Sequence, residues 1–160
     1  MTIKVGDTMP DGIFSIMQNE KPALLTAKEL LENKKVVLFA VPGAFTPGCS
    51  NNHLPSYLEN AKAIYSKGVD TIACLSVNDI FVMNAWAKEK VTEGRILMLA
   101  DGNCDYTKSI GLEMDSSKFG MGMRSQRYAL IIEDNILKEL LLDMPGEINL
   151  SMAQSVLSKL

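Results

Sequence analysis

Much that marks the large functional classes is scarce or missing in this chain of 160 residues. There is one histidine, so a histidine-rich metal centre has no ligand set to draw on. No C-x-x-C pair occurs, which argues against a general thiol–disulfide oxidoreductase and against a zinc ribbon. The cysteines are three, Cys49, Cys74 and Cys104, an odd number at wide spacing. That is no secreted disulfide framework; at least one thiol should be free, and a reducing compartment, the cytoplasm, is the expected location. Basic runs are absent and the formal net charge is -3, which argues against nucleic acid or an anionic membrane as the main partner. The longest apolar run, VVLFAV at 36–41, is far too short to span a bilayer. The opening MTIKVGDTMPDG has neither a signal-peptide core nor an Arg-rich amphipathic stretch. No repeat, low-complexity segment or linker divides the chain, so one domain is expected over 1–160.

What is present reads as an ordinary globular protein, with 47% hydrophobic and 22% charged residues. Ile13 to Met17 is a short strand candidate. Thr26-Ala-Lys-Glu29 has capping-box spacing and opens a short helix over about 27–32. Val36 to Val41 is the continuous apolar run of a central strand covered on both faces. A helix should follow from about Pro47 to Ser66, kinked or broken at Pro55. Thr71 to Val77 is the next strand, and Asn78 or Asp79 can cap a helix to about Lys90. Ile96 to Ala100, a short helix near 104–110, a Met- and Gly-rich loop at 113–124, and a hairpin turning at Asp134-Asn135 come next. Ser151-Met-Ala-Gln154 repeats the capping-box spacing before a C-terminal helix. Early alternation and a late hairpin imply an α/β fold with a mixed central sheet flanked by helices. A thioredoxin-like topology with an N-terminal strand extension is compatible with it.

The chemistry concentrates in FAVPGAFTPGCSNNH, residues 39–53. Thr46 suits a helix N-cap and Pro47 the first helical position, which puts Cys49 third. A sulfur there faces unpaired backbone N–H groups and the positive end of the helix dipole. Both favour a negative sulfur, and the thiolate is the nucleophile. Gly48 leaves its approach uncrowded, and Pro42 stiffens the incoming loop without offering a competing N–H. A free cysteine is more often a buried packing residue, but packing requires none of this setting. Cys49 and His53, four apart, have metal-ligand spacing, and His53 also invites comparison with a Cys–His hydrolase. Cys74 and Cys104 could complete a metal site, but no C-x-x-C occurs and their strand and helix contexts are separate. The reach of His53 for in-line proton transfer is awkward. Gly120-Met-Gly122 lacks the helix start a phosphate loop needs.

VPGAFTPGCSNNHLP (41–55) resembles the active-site segment of the peroxiredoxins, in particular the type II or Prx5-like group. KGVDTIACLSVNDIFVMNAW (67–86), DGNCDYTKSIGLEMD (101–115) and GMGMRSQRYALIIEDN (120–135) resemble the same group in the same order. The resemblance implies a thioredoxin-like fold and a thiol peroxidase without cofactor or metal. Its substrates would be hydrogen peroxide and small organic hydroperoxides. It implies Cys49 as the attacking thiolate, Thr46 as a hydrogen-bond partner of the peroxide, and Pro42 and Gly48 as substrate-binding positions. The arginine it implies is Arg124 in Gly-x-Arg-Ser-x-Arg-Tyr, with Arg127 the neighbouring candidate. Cys74 is a candidate resolving cysteine, although its apolar neighbours also suit a buried strand. Glutaredoxin with glutathione, or thioredoxin, is the implied reductant, and a homodimer the implied assembly. Phe81 and the loop methionines Met114, Met121 and Met123 are candidates for its interface, and Trp86 for the core. A redox sensor or relay using the same cysteine is the rival from outside the enzymes.

Overall fold

Val36–Val41 is apolar at every position, and a strand can be so only where both faces of its sheet are covered. In the computed structural model, which describes all 160 residues, β3 (Lys35–Val41) is central. Its parallel neighbour is β4 (Thr71–Ser76) and its antiparallel neighbour β8 (Tyr128–Glu133). Beyond β4 lie β5 (Leu97–Ala100), β1 (Ile13–Gln18) and β2 (Lys21–Thr26); beyond β8 lies β9 (Ile136–Leu142). The seven-stranded order is β2-β1-β5-β4-β3-β8-β9. The N-terminal segment runs beside the β9 edge, where Gly6 N–H donates to the Leu137 carbonyl and Leu137 N–H to that of Asp7.

Strand alternation divides the core in two. Val37, Phe39 and Val41 face α2 (Leu54–Tyr65), α3 (Ile80–Lys90) and α5 (Ala153–Leu157). Val36, Leu38 and Ala40 face α1 (Ala27–Leu31) and a layer that includes Tyr106 and Ile110 at α4 (Asp105–Ser109). The Thr26 hydroxyl caps α1 by accepting from Glu29 N–H, as its spacing predicts. Asp79, not Asn78, caps α3.

One strand carries no sequence signal, and three expectations are corrected. The segment at 21–26 pairs with β1 as an edge strand, a position that tolerates Pro22 because an edge residue need not donate to a ladder. Its largely exposed pattern has no alternation to reveal it. The 113–124 loop contains a small ribbon, β6 (Glu113–Asp115) against β7 (Met123–Ser125), bridged by a 3-10 turn at Ser117–Phe119. Ser151 does not cap α5; the N-cap is Met152, and the Ser151 hydroxyl is engaged elsewhere. The helix from Pro47 does not break at Pro55. It widens into a π-helical turn over Cys49–His53, and Pro55 falls in the first turn of α2. A proline clashes with the carbonyl four residues back and cannot bond to it. One wide turn ahead of it relieves both problems, and Leu54 N–H then donates to the Cys49 carbonyl five residues back.

Candidate active site

β3 ends at Val41, and residues 42–48 carry the chain to the wide turn that holds Cys49. The thiol is fully buried in the core layer beneath α2. Ser50 N–H donates to the Thr46 carbonyl at 2.8 Å, which starts the helix at the position Thr46 predicts. The Thr46 hydroxyl, however, donates back to the Gly43 carbonyl at 2.7 Å, so its remaining lone pairs can accept from a bound molecule. Ser50 Oγ accepts from Trp86 Nε1–H at 3.1 Å, which ties α3 to the residue beside the thiol. Trp86 is core, as expected.

The guanidinium on the sulfur is that of Arg127. Its Nη2 donates to Cys49 Sγ at 3.1 Å. Arg124, the arginine expected there, lies in β7 opposite Met114. It donates from Nε to the Met121 carbonyl at 2.9 Å and from Nη1 to the Val77 carbonyl at 3.2 Å. It thus clips the ribbon to the end of β4. The reason is register. Tyr128 pairs with Ala40, so the residue just before it lies beside the end of β3, where the cysteine loop departs. That pairing joins residues far apart in sequence; the only local sign is that Arg127 directly precedes a strand. Gly48 gives the guanidinium room, since a Cβ there would stand 3.4 Å from Arg127 Nη2 and 2.7 Å from Ile148 Cδ1.

His53 is buried four residues from Cys49. Arg127 Nη1 meets its Nδ1 at 2.8 Å, and its Nε2 lies 3.0 Å from the Ser151 carbonyl. Burial, and then the Arg127 charge, push the imidazole down to about 4, so the ring is neutral near neutral pH. A neutral ring that donates on one side and accepts on the other is a bracket for the arginine. Tyr57, Asp143 and Ser151 join this cluster; the sequence offers Ser151 only as a helix cap and carries no local sign of the other two.

Cys74 is fully buried in β4, opposite Phe39 of β3 and Met98 of β5. Burial first, and the Cys49 charge second, push its thiol up, so it stays protonated. Cys104 is buried at the start of α4 with a left-handed backbone. All three cysteines are free, and the structure contains no cluster of three metal-ligating side chains.

A cleft of about 240 Å³ opens over Arg127. Pro42, Gly48 and Gln126 line it together with Met144, Pro145 and Ile148 of the segment after β9. A small molecule entering it meets the guanidinium first, with the sulfur one hydrogen bond deeper. A buried nucleophile beside a fixed cation at the floor of the cleft suits attack on a small, polar electrophile.

Comparison with known proteins finds relatives along nearly the whole chain. The Redoxin family model matches residues 4–157. A chloroplastic peroxiredoxin of rice, Peroxiredoxin-2E-2, is 47% identical over 165 residues, covering 99% of this chain and 73% of the relative. Peroxiredoxin-2B of Arabidopsis thaliana is 43% identical over 159 residues, covering 99% and 98%. The crystal structure of reduced Prx3 from Vibrio vulnificus in complex with hydrogen peroxide superposes with a TM-score of 0.95 at 47% identity, covering 99% of each chain. The fold is thioredoxin-like, and the chain belongs to the peroxiredoxins of the type II, Prx5-like group, which are thiol-dependent peroxidases.

Proposed function

We propose that Cys49 is the peroxidatic residue and that Arg127, with Thr46, Pro42 and Gly48, forms the peroxide site around it. The single observation that carries this reading is the Arg127 Nη2 contact with Cys49 Sγ. The thiolate attacks one oxygen of a hydroperoxide; an S–O bond forms as the O–O bond breaks, and the departing alkoxide or hydroxide takes up a proton from solvent. Negative charge passes from sulfur to the leaving oxygen during this step. A fixed cation spanning both positions stabilises the transition state more than the ground state. Arg suits the role because its fork keeps its charge and directs several donors at once. The Thr46 hydroxyl, whose proton is committed to Gly43, accepts from the protonated peroxide oxygen.

The product is a sulfenic acid. Two equivalents of an external thiol return it to the thiol, with loss of water and formation of a disulfide in the reductant. Glutaredoxin with glutathione, or thioredoxin, fits that requirement. Cys74 enters the cycle only if the 47–53 turn opens, because both sulfurs are buried in the core. The substrates are hydrogen peroxide and small organic hydroperoxides, a size range consistent with the cleft. The assembly is a homodimer. Phe45, Phe81, Phe119 and Met123 are exposed, and Phe45 and Phe81 both lie by α3. The Arg124 clip holds the loop bearing Phe119 near the start of that helix.

Cys49→Ser tests the central assignment. Consumption of hydrogen peroxide with thioredoxin, or with glutaredoxin and glutathione, should disappear while the circular dichroism spectrum is unchanged. Turnover that persists would transfer the chemistry to Cys74 or Cys104. Turnover in Cys74→Ser with each reductant supplied separately identifies the electron donor and shows whether Cys74 takes part.

A further inference from the structure

The contact between Arg127 and Cys49 is one link in a buried chain that runs to the C-terminal segment. Arg127 divides its fork, Nη2 to the sulfur at 3.1 Å and Nη1 to His53 Nδ1 at 2.8 Å. A guanidinium nitrogen only donates, so Nδ1 must be the bare, accepting nitrogen of the ring. The ring proton then sits on Nε2, which faces the Ser151 carbonyl at 3.0 Å and Ser151 Oγ at 3.1 Å. The Ser151 hydroxyl donates its own proton to Asp143 Oδ2, leaving Oγ able to accept. Tyr57 O–H donates to the same Ser151 carbonyl at 2.5 Å.

Asp143 is buried and forms no ion pair with a lysine or arginine. Backbone donors surround it instead. Its Oδ1 accepts from Asn149 N–H at 3.2 Å and Leu150 N–H at 2.6 Å, and its Oδ2 from Ser151 N–H at 3.3 Å. The carboxylate therefore folds residues 143–151 around itself and fixes where the Ser151 carbonyl points. Apolar residues at 143 and 151 would seat α5 without burying a carboxylate, at lower desolvation cost. What the polar pair supplies is direction.

We propose that Asp143 and Ser151 are positioning residues for the peroxidatic step: through the Nε2–H tautomer of His53 they hold the Arg127 fork against Cys49. If the ring carried its proton on Nδ1, a donor would face a donor, and the flexible arginine would swing off the sulfur. The proposal rests on the reading of Cys49 and Arg127 given above. It adds that the geometry of that pair is set through a contact between His53 and Ser151, 98 residues apart in sequence.

His53 is the only histidine, so the ring nitrogens can be followed without ambiguity in 15N NMR spectra. The parent protein should show a protonated Nε2 and a bare Nδ1. In Asp143→Asn the two tautomers should mix, and stopped-flow oxidation of Cys49 by hydrogen peroxide should slow about tenfold, since small misplacements of a catalytic group cost rate steeply. Ser151→Ala, which retains the backbone carbonyl, should show the same two changes to a smaller extent. Ser155→Ala loses only an exposed bond to the Asn149 carbonyl and should leave both readouts unchanged. In a His53→Gln background, Ser151→Ala should cost no further rate, because the link it acts through is gone. Oxidation within about twofold of the parent in both Asp143→Asn and Ser151→Ala overturns the proposal. So does slower oxidation with the ring signals unmoved, or an equal loss in the His53→Gln background, either of which would indicate simple loosening. If Asp143→Asn fails to fold, Ser151→Ala decides alone. Failure of the underlying reading looks different: turnover then survives Cys49→Ser while the ring still responds to Asp143→Asn.

Discussion

At the scale of single residues, two arginines three positions apart make unlike contacts. Arg127 donates to a sulfur and a ring nitrogen, Arg124 to two carbonyls. Arg127→Lys preserves charge but cannot reach both Cys49 and His53, and should raise the barrier to Cys49 oxidation by about 3 kcal/mol, roughly a hundredfold in rate. Arg124→Lys gives up two bonds to carbonyls and should cost about 1–2 kcal/mol of stability with a much smaller effect on that rate. Stopped-flow oxidation and urea denaturation of the two variants separate these outcomes; equal rate losses would undo the distinction. His53 makes a second prediction. Its folded-state value of about 4 lies below the ordinary 6.5, with burial the larger cause. Between those values the unfolded chain binds the proton and the folded chain does not, so stability is complete above the ordinary value and is lost as pH falls toward the folded one. The full loss is about 3 kcal/mol. Urea denaturation at about pH 7 and about pH 4.5 should therefore show a loss on acidification that is about 2–3 kcal/mol smaller in His53→Gln than in the parent. An identical loss in both would mean that His53 titrates elsewhere.

At the scale of elements, the active turn depends on supports from three directions. α3 presents Trp86 to Ser50, α2 stacks Tyr57 on Phe39 of β3 with ring centroids 3.8 Å apart, and the segment after β9 brackets His53. The N-terminus of α3 is held by Asp79, whose carboxylate accepts from Val82 N–H at 2.9 Å. Asp79→Ala should lower stability by about 1 kcal/mol, the usual cost of losing such a cap. Because α3 carries the only tryptophan, intrinsic fluorescence reports both the unfolding midpoint and any change beside Cys49. An unchanged midpoint would mean that the first turn of α3 draws its stability from packing alone.

At the scale of the molecule, exposed Phe45 lies in the cysteine loop, and exposed Phe119 and Met123 in the ribbon next to it. A Cβ on Gly43 would touch Met121 Cε at 3.4 Å and Arg124 Nη1 at 3.3 Å, so the ribbon and the cysteine loop support one another. A second copy covering Phe45, Phe81 and Phe119 would immobilise both, and a symmetric pair is the commonest arrangement for soluble homo-oligomers. Sedimentation over a dilution series should show a dimer that dissociates at low concentration, with specific activity falling alongside. Phe81→Glu should shift dissociation to higher protein concentration. A monomer of constant specific activity throughout would remove the link between assembly and catalysis.

The sequence by itself determined whatever depends on neighbours along the chain. The apolar run at 36–41 required a strand buried on both faces, and Thr-Pro-Gly-Cys required a cysteine at a helix start. The spacing at Thr26 located one cap, and Asp134-Asn135, both at positive φ, located the hairpin. Tertiary structure decided whatever depends on partners distant in sequence. Pro22 sits in a strand because β1 supplies a hairpin partner, and the Met- and Gly-rich loop holds a ribbon because Glu113 meets Ser125. Ser151 has the local look of a cap, but Asp143 claims its hydroxyl and His53 its carbonyl. Which arginine reaches Cys49 follows from the pairing of Tyr128 with Ala40 across the sheet. Local patterns express the backbone's own preferences. The register that aims a guanidinium at a sulfur is set by long-range burial and hydrogen bonding, which leave no periodic mark on the chain.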